Sequence, residues 1–188
     1  MNIPCLLERL MASLGGHLMN LSNIDNNRFY HANMLENFRT HVVFMAPSGF
    51  GKSLAFRMFL DEDIGLLNGS VTTSLEHSFS PESWMGTIDK DVQGNLTLIG
   101  GLFHEHKRSI VGCDEFQRLA FIMDEKEGQS HEEAYLMTAL DYNHVRKRLA
   151  YGAITENNVG LTLWAGMRPH QLNLAAGTAR RFSFLLPA

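Results

Sequence analysis

Residues 41–53 read His41-Val42-Val43-Phe44-Met45-Ala46-Pro47-Ser48-Gly49-Phe50-Gly51-Lys52-Ser53, and the fold turns on how this stretch is read. A short apolar run, Val42 to Met45, feeds a loop carrying Gly49 and Gly51, and a helix-compatible segment, Leu54 to Leu60, follows Ser53. Strand, glycine loop and helix in that order make a phosphate-binding loop. Backbone N–H groups and the positive end of the helix dipole converge there on a polyphosphate. Gly49 and Gly51 let the backbone come close to phosphate. The expected nucleotide-binding residues are Ala46, Pro47, Ser48, Gly49, Phe50, Gly51, Lys52 and Ser53. Lys52 would reach the β- and γ-phosphates, and the Ser53 hydroxyl would ligate Mg²⁺. Ala46 stands where the usual pattern has its first glycine.

A second segment supplies the other half of such a site. Ile110-Val111-Gly112-Cys113 is an apolar strand that closes on Asp114-Glu115. Alone, this reads as a strand ending in a solvated acidic turn. Downstream of a phosphate-binding loop, Asp114 at the strand's carboxyl end helps hold Mg²⁺, and Glu115 orients or deprotonates an attacking water. Ligands at the carboxyl ends of parallel strands are the general pattern in open α/β sheets.

At 188 residues the chain suits one domain, and it is long enough to bury a core without disulfides. Its 16 Lys and Arg against 20 Asp and Glu give a net charge of −4, which excludes a whole-surface basic footprint for nucleic acid. Any such contact must come from a local patch. Cys5 and Cys113 are too few for a disulfide framework and point to a reduced interior. No apolar stretch approaches the roughly 20 residues that span a bilayer. Glu8 and Arg9 interrupt the N-terminal apolar run, so no signal-peptide pattern is present. A cytoplasmic protein is expected.

Elsewhere, Leu6, Leu7, Leu10, Met11, Leu14 and Leu18 have helical spacing over residues 4–19, with Gly15-Gly16 expected to bend or end the helix. Residues 20–40 read as an Asn-rich loop, and Val71 to Ser74 as a short strand. Ser80-Pro81 resembles a helix start. Gln93-Gly94-Asn95 is a turn, Leu96 to Phe103 an apolar segment, and residues 130–143 a helix. Residues 146–158, 159–166 and 182–186 are β-like. Strands alternating with helices predict an α/β domain with a mainly parallel sheet. Trp84, Trp164 and the ten methionines are expected in the core. His104, His106, Lys107 and Arg108 read as a solvated basic turn.

The order of segments resembles the AAA+ ATPases, and within them the minichromosome maintenance (MCM) replicative helicases. Asn95 to Phe103 followed by Ser109 to Phe116 resembles that family's run through two glycines into the acidic strand. Leu149-Ala150-Tyr151-Gly152-Ala153-Ile154 resembles its β-hairpin insertion before the sensor strand. Val159 to Pro169 resembles the sensor strand, and Arg180-Arg181-Phe182 the arginine-finger segment. The resemblance implies a P-loop NTPase fold of AAA+ type, its mainly parallel sheet flanked by helices, with residues 1–40 leading into a core at 41–188. It also implies a helical lid after that core; the expectation here is a core without the lid, either a fragment or a reduced relative that completes its site differently. It implies ATP and Mg²⁺ as ligands and a ring, hexameric by analogy, in which Arg181 or Arg180 reaches a neighbour's γ-phosphate. Arg168 occupies the sensor position, where the family has asparagine. There it would stabilise γ-phosphate charge or mark altered hydrolysis.

Arg146, Lys147, Arg148 and Tyr151 form the best basic cluster. In the implied hairpin they would meet DNA phosphates and stack on a base. A solvated face at a helix C-terminus is the plainer reading of the same residues. Three functions fit the sequence: a DNA-directed ATPase or helicase, a packaging or remodelling motor, and a nucleotide-switched loader with little turnover.

Overall fold

The computed structural model describes residues 3–26, 30–31, 34–35, 39–76, 83–90, 93–114, 116, 138–150, 152–168 and 181–185. In chain order its elements are α1 (Ile3–Asp25), β1 (Tyr30–His31), β2 (Met34–Leu35), β3 (His41–Met45), α2 (Lys52–Leu60), β4 (Thr73–Glu76), β5 (Gly86–Lys90), β6 (Leu96–Gly100), α3 (Leu102–Glu105), β7 (Ile110–Cys113), β8 (His144–Leu149), β9 (Gly152–Asn157), β10 (Thr162–Met167) and β11 (Phe182–Leu185).

Five strands pair in parallel in the spatial order β11-β3-β10-β7-β4. β3, β7 and β10 are buried at every position. This follows from their near-continuous apolar sequences, which suit strands covered on both faces. Val43, Met45, Val111 and Leu163 join a core with Trp84, Phe103, Phe116 and Leu140. Val42, Phe44, Ile110 and Trp164 face Leu10 of α1 and Phe56 and Leu60 of α2. The expected α/β architecture, a parallel sheet flanked by helices, is therefore present. Three antiparallel pairs stand outside the sheet: β1–β2, β5–β6 and β8–β9. The β8–β9 hairpin enters the chain between β7 and β10, where the sequence places an insertion.

Several local expectations fail for identifiable reasons. α1 runs unbroken through Gly15-Gly16 to Asp25 and takes in part of the expected 20–40 loop. Two mid-helix glycines cost about 1 kcal/mol each relative to alanine, but Leu10, Ser13, His17, Asn20 and Ile24 form one buried face that holds the helix on the sheet. Three of those five side chains are polar, so hydrophobic spacing does not reveal the second half of the helix. Trp84 and Met85 are buried in a turn that leads into β5, not into a helix; Ser80 and Pro81 lie outside the described residues. The apolar run at 96–103 splits into β6 and α3, and Leu96, Leu98 and Ile99 are exposed. Of the helix expected at 130–143, residues 138–141 are helical and 130–137 lie outside the described residues. Trp84, Trp164 and Cys113 are buried as expected, whereas Met11, Met19 and Met58 are exposed.

One buried cation joins the pieces. The Arg39 guanidinium donates to the carbonyls of Val159 (3.0 Å) and Leu161 (2.7 Å), and to those of Ala139 (3.0 Å), Leu140 (3.2 Å) and Tyr142 (3.2 Å). It therefore caps the end of the 138–141 helical turn and the entry to β10 together. Burial pulls its pKa down to about 9, with Asp141 opposing the shift. Beside it, His41 is buried; Nδ1 accepts from the Leu163 N–H at 3.0 Å, which leaves Nε2–H to face the Leu140 carbonyl at 3.3 Å. His17 contacts the Thr162 hydroxyl at 3.0 Å. Burial, reinforced by the Arg39 charge, lowers His41 to about 3 and His17 to about 4.

Two outcomes follow. Arg39→Met leaves these carbonyls without their donor and should lower unfolding free energy by about 3 kcal/mol or more, measured by urea denaturation at pH 7. The two histidines stay neutral in the native state, while those of the unfolded chain protonate near pH 6.5. Their effect on stability is absent above that pH. It grows as pH falls toward about 4 for His17 and about 3 for His41, because the unfolded state then binds more protons. The stability lost approaches about 1.4 kcal/mol per pH unit per histidine, and His17→Gln should flatten the measured slope between pH 6 and 4.5.

Candidate functional site

The loop after β3 turns on two glycines. Gly49 and Gly51 have φ of 84° and 81°, the left-handed region that other residues rarely adopt. Gly51 is the N-cap residue of α2, so the loop delivers its backbone N–H groups to the start of that helix. Ala46 is fully buried, and among the described residues only Asn158 is a non-glycine with positive φ. The first loop position therefore needs no glycine. The Ala46 N–H donates to the Met167 carbonyl at 3.1 Å, tying the loop to the end of β10.

β10 lies between β3 and β7, so the carboxyl ends of all three strands open on one cleft. That cleft, about 360 Å³, is lined by Ser48, Gly49, Lys52, Ser53, Asp114 and Arg168 among others. Lys52 is folded onto its own loop, Nζ donating to the carbonyls of Ala46 at 2.7 Å and Pro47 at 2.9 Å. Burial pulls Lys52 below the ordinary lysine range; the Asp114 carboxylate opposes this shift and the Arg168 guanidinium adds to it. Asp114 sits tight against β10. A Cβ at Gly166 would come within 3.0 Å of the Asp114 carbonyl and 3.5 Å of its Oδ1. Two cations and one carboxylate thus face the same space, an arrangement suited to an anion with more than one negative charge.

Of the expected nucleotide-binding residues, Ser48, Gly49, Gly51, Lys52, Ser53, Asp114 and Arg168 come together. Ala46 and Pro47 do not line the cleft; Ala46 is buried, Pro47 is exposed, and the carbonyls of both accept from Lys52. Phe50 turns the other way, into an apolar groove of about 360 Å³ between α1 and α2, formed with Leu6, Leu7, Leu10, Leu54 and Met58 among others. Glu115, Tyr151 and Arg180 lie outside the described residues. The oxygens available to a divalent cation are the Ser53 hydroxyl and the Asp114 carboxylate. They fit Mg²⁺, which takes one or two protein oxygens beside phosphate and water. Among the described residues no three His, Cys, Asp or Glu side chains cluster as a metal site.

Arg181 does not line this cleft. It precedes β11, where Phe182 pairs with His41 at the start of β3. The loop begins five residues later, about 16 Å along the strand. Arg181 Nε donates to Asp141 Oδ1 at 2.7 Å, and Nη2 to Oδ2.

The basic cluster divides between two faces of the β8–β9 hairpin. Val145 is buried, Lys147 is half-buried and Leu149 packs on the core, so that face looks inward. His144, Arg146 and Arg148 face outward, opposite Asn157, Thr155 and Ala153. His144 also lies 6.1 Å, ring to ring, from the exposed Tyr142. The outward residues His144 and Tyr142 were missed in the sequence; the period-two spacing of His144, Arg146 and Arg148 is the signal that finds the former. Arg39 and Asp141 were missed as well. A single arginine just before a strand buried at every position is a faint mark of the first. In the second basic stretch, His104 pairs with the buried Glu156 at 2.9 Å and Arg108 with Asp25 at 2.8 Å.

Among the described residues no helix is long and apolar enough to cross a membrane. No protein-family model matches this sequence and no curated protein matches it, so the reading of the site rests on its geometry.

Proposed function

We propose that this chain is an ATP-binding and ATP-hydrolysing module of the AAA+ type, MCM-like, that works on DNA as a ring of identical protomers. The observation that carries the reading is the meeting of Lys52, Ser53, Asp114 and Arg168 in one cleft at the ends of β3, β7 and β10. The polyphosphate lies along the 49–53 backbone at the start of α2. Lys52 exchanges the Ala46 and Pro47 carbonyls for phosphate oxygens. Arg168, a fixed cation in place of a neutral amide, faces the γ-phosphate and spreads the charge that develops there. Ser53 and Asp114 are the residues that would hold Mg²⁺, which would supply neutralising charge to the polyphosphate. Glu115, next in sequence, orients the attacking water. The apolar groove on the far side of Gly51 offers a nonpolar seat for the base. Arg181, remote from its own cleft, serves a neighbour's.

Arg168 also favours a second reading, a nucleotide-switched binding protein. Lys52 and Arg168 together hold a triphosphate more firmly than a site with one cation, which slows turnover. Phosphate release under multiple-turnover conditions separates the two.

With a fluorescent ATP analogue, Lys52→Ala should weaken binding at least about tenfold through loss of one charged contact. Glu115→Gln should leave binding in place and lower steady-state hydrolysis about 100-fold or more; unchanged turnover would remove Glu115 from the mechanism. For the hairpin, Arg146→Ala with Arg148→Ala should weaken single-stranded DNA binding and reduce the slope of log affinity against log salt by about 1.4, roughly 0.7 per phosphate contact. Lys147→Ala alone should have the smaller effect, since its side chain shares the inward face.

A further inference from the structure

Arg181 is the residue that the proposed function sends to a neighbouring protomer, yet in a single chain it is already engaged. Its Nε and Nη2 both donate to the Asp141 carboxylate in a fork, and its side chain is only 21% exposed. We propose that Asp141 is a restraint in cis, holding Arg181 back in the isolated protomer until a second copy of this chain presents a nucleotide polyphosphate. The inference rests on the reading of Arg181 as a trans-acting cation and adds the regulation of that site.

The surroundings make the exchange feasible. Asp141 ends the 138–141 helical turn, where the helix dipole disfavours a carboxylate. Arg39 compensates from below. It is buried, it binds the carbonyls of Ala139, Leu140 and Tyr142 on either side of Asp141, and its charge interacts with that carboxylate. Among the described residues, Asp141 thus faces a buried cation, Arg39, and a partly exposed one, Arg181, that can exchange. It is 33% exposed, so water also reaches it. When Arg181 leaves, Asp141 is neither buried nor without positive charge, and the large penalty of an orphaned interior ion does not arise. A phosphate, like a carboxylate, offers a guanidinium a pair of oxygens for two parallel N–H bonds, with more charge. The competition therefore favours Asp141 in a lone chain and the polyphosphate once a neighbour's cleft is within reach. Assembly and catalytic competence become one step.

The test is ATP hydrolysis per protomer as a function of protein concentration. Asp141→Asn and Asp141→Ser should reach half-maximal specific activity at a protein concentration roughly three- to tenfold lower than wild type, as when a competent fraction of about a third to a tenth rises toward one. Binding of an ATP analogue to dilute protomers should be unchanged. Arg181→Ala should lose the concentration-dependent rise. If the Asp141 variants need the same or more protein while Arg181→Ala still loses the rise, the restraint is overturned and the trans role of Arg181 stands. If Arg181→Ala keeps the wild-type rise, the trans role fails and the restraint fails with it. A measurement on unaltered protein guards against unfolding of the variants. The Arg181 Nε–H resonance in ¹⁵N NMR should move when dilute protein is concentrated with a non-hydrolysable ATP analogue. An unmoved resonance in the assembled protein overturns the proposal.

Discussion

β10 hydrogen-bonds to β3 along one edge and to β7 along the other, and the candidate site exists because of that double pairing. Trp164 stands level with Val42 on one side and Gly112 on the other. With the register fixed in this way, three strand ends finish at one height. The loop after β3, Asp114 after β7 and Arg168 after β10 then share a cleft without any of them having to reach for it. A slip of one residue would reverse which face each β10 side chain meets, and Trp164 would be driven out of its contacts with α1 and α2. The hydrophobic packing of the strand and the placement of its polar end are the same constraint.

Close packing extends this control to single atoms. Gly166 leaves room for Asp114 to lie against the strand backbone, and Gly112 leaves room for Leu60 and Leu75. A side chain at residue 166 would therefore press on Asp114.

Much of this was legible in the sequence, and the divisions are physical. β3, β7, β10 and β11 are short, apolar and bounded by glycine or charge, so their pattern survives any context. The turn after β3 was legible because Gly49 and Gly51 have a backbone reason, a positive φ, that needs no tertiary partner. The second half of α1 was not, since Ser13, His17 and Asn20 bury polar atoms on the packed face and break the apolar period. Nor was the role of Arg39. Its partners are backbone carbonyls from residues 139–142 and 159–161, and a carbonyl leaves no trace in the letters of a sequence. The split of Arg146 and Arg148 from Lys147 was implicit in strand alternation, which acts only once the segment is known to be a hairpin.

The link between the β8–β9 hairpin and β10 is short, and it is stitched at nearly every residue. The Val159 N–H donates to the Asn143 carbonyl and the Gly160 N–H to that of Lys107, while Arg39 grips the carbonyls of Val159 and Leu161. At its other end the strand carries Arg168. The strand that carries Arg168 at one end is thus tied at its other end, through four residues and direct hydrogen bonds, to the base of the hairpin, so the cleft and the hairpin share one continuous length of anchored backbone.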